Sequence, residues 1–207
     1  MSAAGGRRGS SMNTLHRPGI SVSLPLLLAM VLSCSPRLEE RVKAFERAYN
    51  ERDVEKVMSF YAEDAVHAVP GVFVAQGSEE LRALTEHDAV LNTRLSLGEC
   101  RTVGDTVRCE LTFSSDWTTA AGIRQVRYSA AFVFSDGLIK EFVTEVSPEG
   151  AQAFSNVFNP FLAWASAEKP EQVREMMPEG EFVYSAQNAK RSLALLREWQ
   201  QEMEESD

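Results

Sequence analysis

The hydrophobic period of this chain changes near residue 93, and that change restricts the fold more than any other feature. Before it, apolar residues recur at helical spacing: Leu38, Val42, Phe45 and Tyr49, then Val54, Val57, Met58 and Tyr61, then Leu81, Leu84 and Leu91. After it, apolar and polar residues alternate, as in half-buried strands. Val107, Cys109, Leu111, Phe113 and Trp117 form one such face, and Val126, Tyr128, Ala130, Phe132 and Phe134 form the next. In the last strand, Leu138, Lys140, Phe142, Thr144 and Val146 share a face. Two short strands, 65–69 and 72–74, sit between the second and third helices. Three helices followed by four long sequential strands predict an α+β fold, a curved antiparallel sheet with helices on one side.

Punctuation along the chain supports this division. Asp53 is placed to cap the second helix and Ser78 the third. Gly98 interrupts the alternation of the strand over 93–100 and predicts a bulge. Ser135-Asp136-Gly137 reads as a turn. From Pro148 the pattern is helical again. An aromatic-rich segment over 151–167 precedes Pro170 and Pro178, and a last helix capped by Ser185 carries Ala189, Leu193, Leu196 and Trp199. The acidic tail over 202–207 is expected to fray.

The segment Cys100-Arg-Thr-Val-Gly104-Asp105-Thr-Val-Arg-Cys109 predicts a hairpin turning at Gly104-Asp105. That turn pairs 103 with 106, 102 with 107, 101 with 108 and 100 with 109. Cys100 and Cys109 then fall on a non-hydrogen-bonded pair, with Cα atoms about 4.5 Å apart. This is close enough for a disulfide in an oxidising compartment. No metal-ligand spacing surrounds these cysteines, and no cofactor motif is present.

The first 33 residues read as a leader. Arg7, Arg8 and Arg17 precede the apolar run Ile20–Ser33, which is too short for a membrane span. The run ends at Val31-Leu32-Ser33-Cys34, which resembles the lipobox of bacterial lipoproteins. The resemblance implies that Cys34 is lipidated and becomes the first residue of an extracytoplasmic protein held to a membrane by acyl chains. Ser35, rather than an aspartate, follows it and implies an outer-membrane address. The organisation expected is a signal over 1–33, a tether over 34–36, an α+β body over 37–147 and a helical extension over 148–207.

Without the leader the chain has 18 basic and 30 acidic residues, net −12, because the leader holds three of the 21 basic residues and none of the 30 acidic ones. Such a balance excludes a nucleic-acid-binding face. It also leaves membrane attachment to the acyl chains alone.

The run Phe45-x-x-Ala48-Tyr49-Asn50-x-x-Asp53-x6-Phe60-Tyr61-Ala62-Glu63-Asp64-Ala65-Val66 resembles the opening of the nuclear transport factor 2-like superfamily, which includes ketosteroid isomerases and SnoaL-type polyketide cyclases. Gly77-Ser78-Glu79-Glu80-Leu81 and the four strands agree in kind and order. The resemblance implies a cone in which a bent sheet wraps the helices around an apolar pocket, and pairing of two copies through their sheets. It also implies where isomerase chemistry should lie. Aligned on Asn50 and Asp53, the tyrosine falls on Phe45, the base on Val69 and the second acid near Ala130. None of the three carries the required group, so catalysis by that mechanism is not expected.

Tyr49, Tyr61, His67, Phe113, Trp117, Tyr128, Phe132 and Phe142 are the candidates to line a pocket; the same rings could instead fill a core. His67, with Glu63 or Asp64 nearby in sequence, is the candidate for chemistry. His87-Asp88 reads as a solvated helix face. Asp116 falls on the outer face. No chemistry attaches to the segment 179–191, and the extension either plugs the open end of the cone or serves association with another copy. The leading functional reading is a non-catalytic, lipid-anchored domain that binds a small apolar ligand or a partner protein. The alternatives are a SnoaL-like enzyme using other residues and a structural envelope component with a filled core.

Overall fold

The computed structural model describes residues 38–206. Helix α1 (Leu38–Glu51) buries Val42, Phe45, Ala48 and Tyr49, the stripe that its periodicity predicts. Arg52 takes a left-handed conformation (φ 60°) and ends it. Asp53 then accepts a hydrogen bond from the Lys56 amide at 3.1 Å and starts α2 (Val54–Met58). Strand β1 (Tyr61–Val69) begins earlier than expected, so Tyr61 belongs to the sheet and not to the second helix. β2 (Phe73–Gln76) folds back on it.

Helix α3 (Gly77–Val90) differs from expectation at its start. Its N-cap is Gln76 with no side-chain cap, and Ser78 lies inside the helix with its hydroxyl donating to the Glu63 carbonyl. The chain turns into α3 through Gly77 at φ 79°, a conformation that favours glycine.

β3 (Arg94–Val103), β4 (Thr106–Ser114), β5 (Val126–Ser135) and β6 (Leu138–Val146) complete a six-stranded sheet in the order β2-β1-β6-β5-β4-β3. The expectation of an antiparallel sheet needs one correction, because β1 runs parallel to β6. The β3–β4 register is the predicted one, with 103 opposite 106 and Cys100 opposite Cys109. The two cysteines form a disulfide with Cα atoms 4.2 Å apart. The predicted bulge lies between Leu97 and Cys100. A Cβ at Gly98 would sit 3.2 Å from Cβ of Glu110, so the strand runs closest to its neighbour there.

Helix α1 covers the free edge of β3 with polar side chains. Asn50 accepts from the Leu95 amide at 2.9 Å and donates to its carbonyl at 2.8 Å. Glu46 accepts from the Leu97 amide at 2.8 Å, and Lys43 donates to the Leu97 carbonyl at 2.9 Å. An exposed edge strand is thereby satisfied within the chain. The inner face of the sheet closes over Phe45, which is fully buried and touches the rings of Tyr49, Phe60, Tyr61, Phe132 and Phe142 at centroid distances of 5.6–5.9 Å.

Two strand ends depart from simple alternation. Ser115 caps α4 (Asp116–Ala120) in a reciprocal box with Thr118, which takes Trp117 out of β4 and into a helix. A register slip between Val133 and Phe134 puts Ile139 on the buried face with Phe142, so Leu138 and Lys140 do not share that face.

The extension forms α5 (Pro148–Glu168), α6 (Pro170–Met176) and α7 (Ala186–Ser206). Ser185 accepts from the Asn188 amide, the predicted cap, and the helix continues through the acidic tail to 206. Trp117, Ile123, Val126, Phe161, Leu195 and Leu196 build a second core beneath these helices. Gly150 is essential there, because an added Cβ would lie 2.7 Å from Cγ1 of Val126.

Candidate functional site

The apolar stripe of α3 contains a carboxylate. Leu81, Leu84, Asp88 and Leu91 follow helical spacing and all are buried. Asp88 is 9% exposed and His87 beside it 8%, so neither lies on a solvated face as their sequence context suggested. The helix has one inward stripe, and Asp88 occupies a position on it that a leucine would otherwise fill.

Asp88 is held by two groups. The Tyr49 hydroxyl donates to its Oδ2, and Nδ1 of His87 lies 3.0 Å from its Oδ1. Its charge reaches further into the cone. Tyr61, Tyr128 and Tyr184 all have their ionisation suppressed, first by burial and then by Asp88. Tyr128 is raised to about 12. Tyr49 is raised well above its ordinary value by burial and then by Asp88. Burial pushes His67 down to about 4, partly opposed by Asp88, so its imidazole is neutral at pH 7.

His67 is buried, stacked on Phe142 at 4.2 Å and edge-on to Phe73 at 5.3 Å. It is not paired with its sequence neighbours. Glu63 and Asp64 are exposed, and Asp64 pairs with Lys140. Among the described residues, no hydrogen bond satisfies the ring nitrogens of His67 or the hydroxyls of Tyr61, Tyr128 and Tyr184.

The segment joining α6 to α7 lies across this cluster. Tyr184 packs on Phe73 and His87 with centroids 5.1 Å away in each case, and Phe182 meets His87 at 5.8 Å. The extension therefore covers the aromatic end of the cone, one of its two expected roles.

The remaining pocket candidates are distributed. Phe132 and Phe142 stack at 4.3 Å in the packed heart of the cone. Phe113 and Tyr128 are half-buried and meet edge-on. Trp117 packs with Phe154 and Phe161 in the second core. Asp116 accepts from Asn92 at 2.7 Å. The three isomerase positions are hydrocarbon: Phe45 and Ala130 lie in the cone core, and Val69 is also buried. Two surface grooves, of about 560 and 520 Å³, run beside Lys43 and Arg47 and beside Glu110 and Arg127, and Asp88 lines neither.

Sequence reasoning missed Asp88, His87 and Tyr184. A signal existed for the first: an acid at the i+4 position from Leu84, within an otherwise apolar stripe, is either an error of folding or a site. Nothing local marked Tyr184.

Residues 42–142 match the family described as the SnoaL-like domain. No curated protein matches the chain in sequence. Similar solved structures include the epoxide hydrolase/cyclase-like enzyme SalBIII, which has a role in pyran ring formation in the polyether salinomycin. It is 18% identical with a TM-score of 0.50, over 55% of this chain and 92% of that one. An NTF2-like protein of unknown function from Cytophaga hutchinsonii is 12% identical, with a TM-score of 0.48 over 58% of this chain and 99% of its own. An uncharacterized cystatin fold protein from Novosphingobium aromaticivorans is 20% identical, with a TM-score of 0.46 over 53% and 97%. Identities this low concern the fold alone. The family match covers residues 42–142, just under half of the chain, and the element order and the curved sheet are of the kind that this match implies.

Proposed function

We propose that this chain is an extracytoplasmic lipoprotein, anchored through Cys34, whose SnoaL-like domain binds a small, mainly apolar molecule at the Asp88 cluster. The observation that carries the binding reading is the buried Asp88 carboxylate, held by Tyr49 and His87 beside the aromatic rings of Phe73, His67 and Tyr184. Such a site, apolar with a few convergent polar atoms, suits recognition of one ligand end. The heart of the cone, packed around Phe45, leaves the ligand to the region beneath Tyr184. Support for the anchor comes from the leader pattern and from the disulfide, which belongs to an oxidising compartment.

A second reading, catalysis, draws on one specific arrangement. Asp88 between Tyr49 and His87, with neutral His67 nearby, is a carboxylate that could accept a proton from a substrate. It would not be the isomerase mechanism, since Phe45, Val69 and Ala130 replace that machinery.

Native mass spectrometry of the full chain isolated from its membrane tests the binding reading. The expected result is a non-covalent adduct beyond the mass of the acylated protein. A spectrum of the acylated chain alone counts against it. Metabolic labelling with palmitate tests the anchor, and an unlabelled protein removes it.

A further inference from the structure

We propose that the Asp88 site takes a small organic cation, a protonated or quaternary amine on a hydrocarbon frame, admitted when Tyr184 lifts away. The proposal rests on the binding reading above and specifies its ligand class. Asp88 is nine-tenths buried, and among the described residues no lysine or arginine pairs with it. A buried carboxylate without a cation is unfavourable, and a cationic ligand supplies the missing charge.

The walls fit the same ligand. Tyr184, Phe73 and His67 form a connected aromatic surface, with successive centroids 5.1 and 5.3 Å apart. Aromatic faces attract cations, most strongly where water is excluded. An anion would meet Asp88 and the π faces, both repulsive. The unpaired His67 nitrogens and the Tyr61 hydroxyl remain to bind a polar substituent on the ligand.

The covering segment is held from behind. The Val183 amide donates to the Met176 carbonyl at 2.9 Å, and Asn188 donates to the Val183 carbonyl at 2.9 Å. Against the cone it packs through its rings, Tyr184 on Phe73 and His87 and Phe182 on His87, with no hydrogen bond across among the described residues. Among the described residues the Tyr184 side chain makes no hydrogen bond, so its ring can swing away while the Val183 bonds stay, and a ligand's apolar frame can replace it.

Calorimetric titration of the full chain with benzyltrimethylammonium and with its neutral isostere, neopentylbenzene, tests the proposal. The cation should bind at least about tenfold more tightly than the isostere. Asp88→Asn should erase that preference, and Tyr184→Ala should tighten both probes. Tyr184→Ala changes a half-buried side chain and keeps the test open if Asp88→Asn does not fold. Equal affinities, or a preference that survives Asp88→Asn, would overturn the cation assignment and leave the binding reading standing. Weaker binding by Tyr184→Ala would overturn its role as a plug. Absence of binding for either probe, in the wild type and in Tyr184→Ala, would remove the ligand class and the binding reading together.

Discussion

The Tyr49 hydroxyl donates a hydrogen bond to Oδ2 of Asp88, joining α1 to α3 inside the cone. Both residues are buried. The bond therefore couples the helix that covers the sheet edge to the helix that carries the charge. Tyr49→Phe keeps the ring and removes the donor. Unpaired, the carboxylate oxygen should cost about 1–3 kcal/mol of stability. Urea unfolding of the two proteins checks this, and an unchanged midpoint would show that the bond contributes nothing.

His67 makes the fold sensitive to acid. Its pKa is near 4 in the folded chain because of burial, against about 6.5 when unfolded. Between those values the unfolded state binds more protons than the folded state, so stability rises with pH there. The contribution is complete above about pH 6.5 and is lost as pH falls toward 4, up to about 3 kcal/mol. His67→Gln should flatten this segment of the stability curve. A variant with the same acid dependence as the wild type would assign the effect to another group.

Phe45 stands where the isomerase resemblance places a tyrosine, and it is fully buried among five rings. Phe45→Tyr should not create isomerase activity, because Val69 and Ala130 still lack acids. It should destabilise the fold by about 1–3 kcal/mol, since a hydroxyl enters an apolar core. Phe45→Ala should cost about 3–5 kcal/mol through the cavity it leaves. Thermal unfolding and a steroid isomerisation assay measure the two effects separately.

The disulfide closes a hairpin already held by its own ladder. Replacing Cys100 and Cys109 together by serine should cost less than about 3 kcal/mol. Thiol labelling of the untreated protein should modify neither cysteine. Labelling of both without reductant would show that the bond does not form.

Gly150 presses the start of α5 onto Val126 and Val146. Gly150→Ala should destabilise the chain by about 1–3 kcal/mol through overpacking, despite the better helix propensity of alanine. A stabilised variant would mean that α5 moves outward at no cost.

The sequence by itself determined what depends on neighbours along the chain. Helical spacing located α1 and its buried face, Asp53 the start of α2, Gly104-Asp105 the hairpin register, and that register the pairing of Cys100 with Cys109. These follow from the fixed periods of helix and strand and from turn chemistry, which act over a few residues. Tertiary structure alone decided which buried faces meet. The parallel pairing of β1 with β6, the removal of Trp117 from β4 and the slip that brings Ile139 beside Phe142 all answer to closure of a curved sheet. The site is the sharpest case. Asp88 lay on a legible stripe, yet the Tyr49 hydroxyl that holds it comes from α1 and the Tyr184 ring that packs on its neighbour His87 comes from the segment after α6, and only packing brings such distant stretches together.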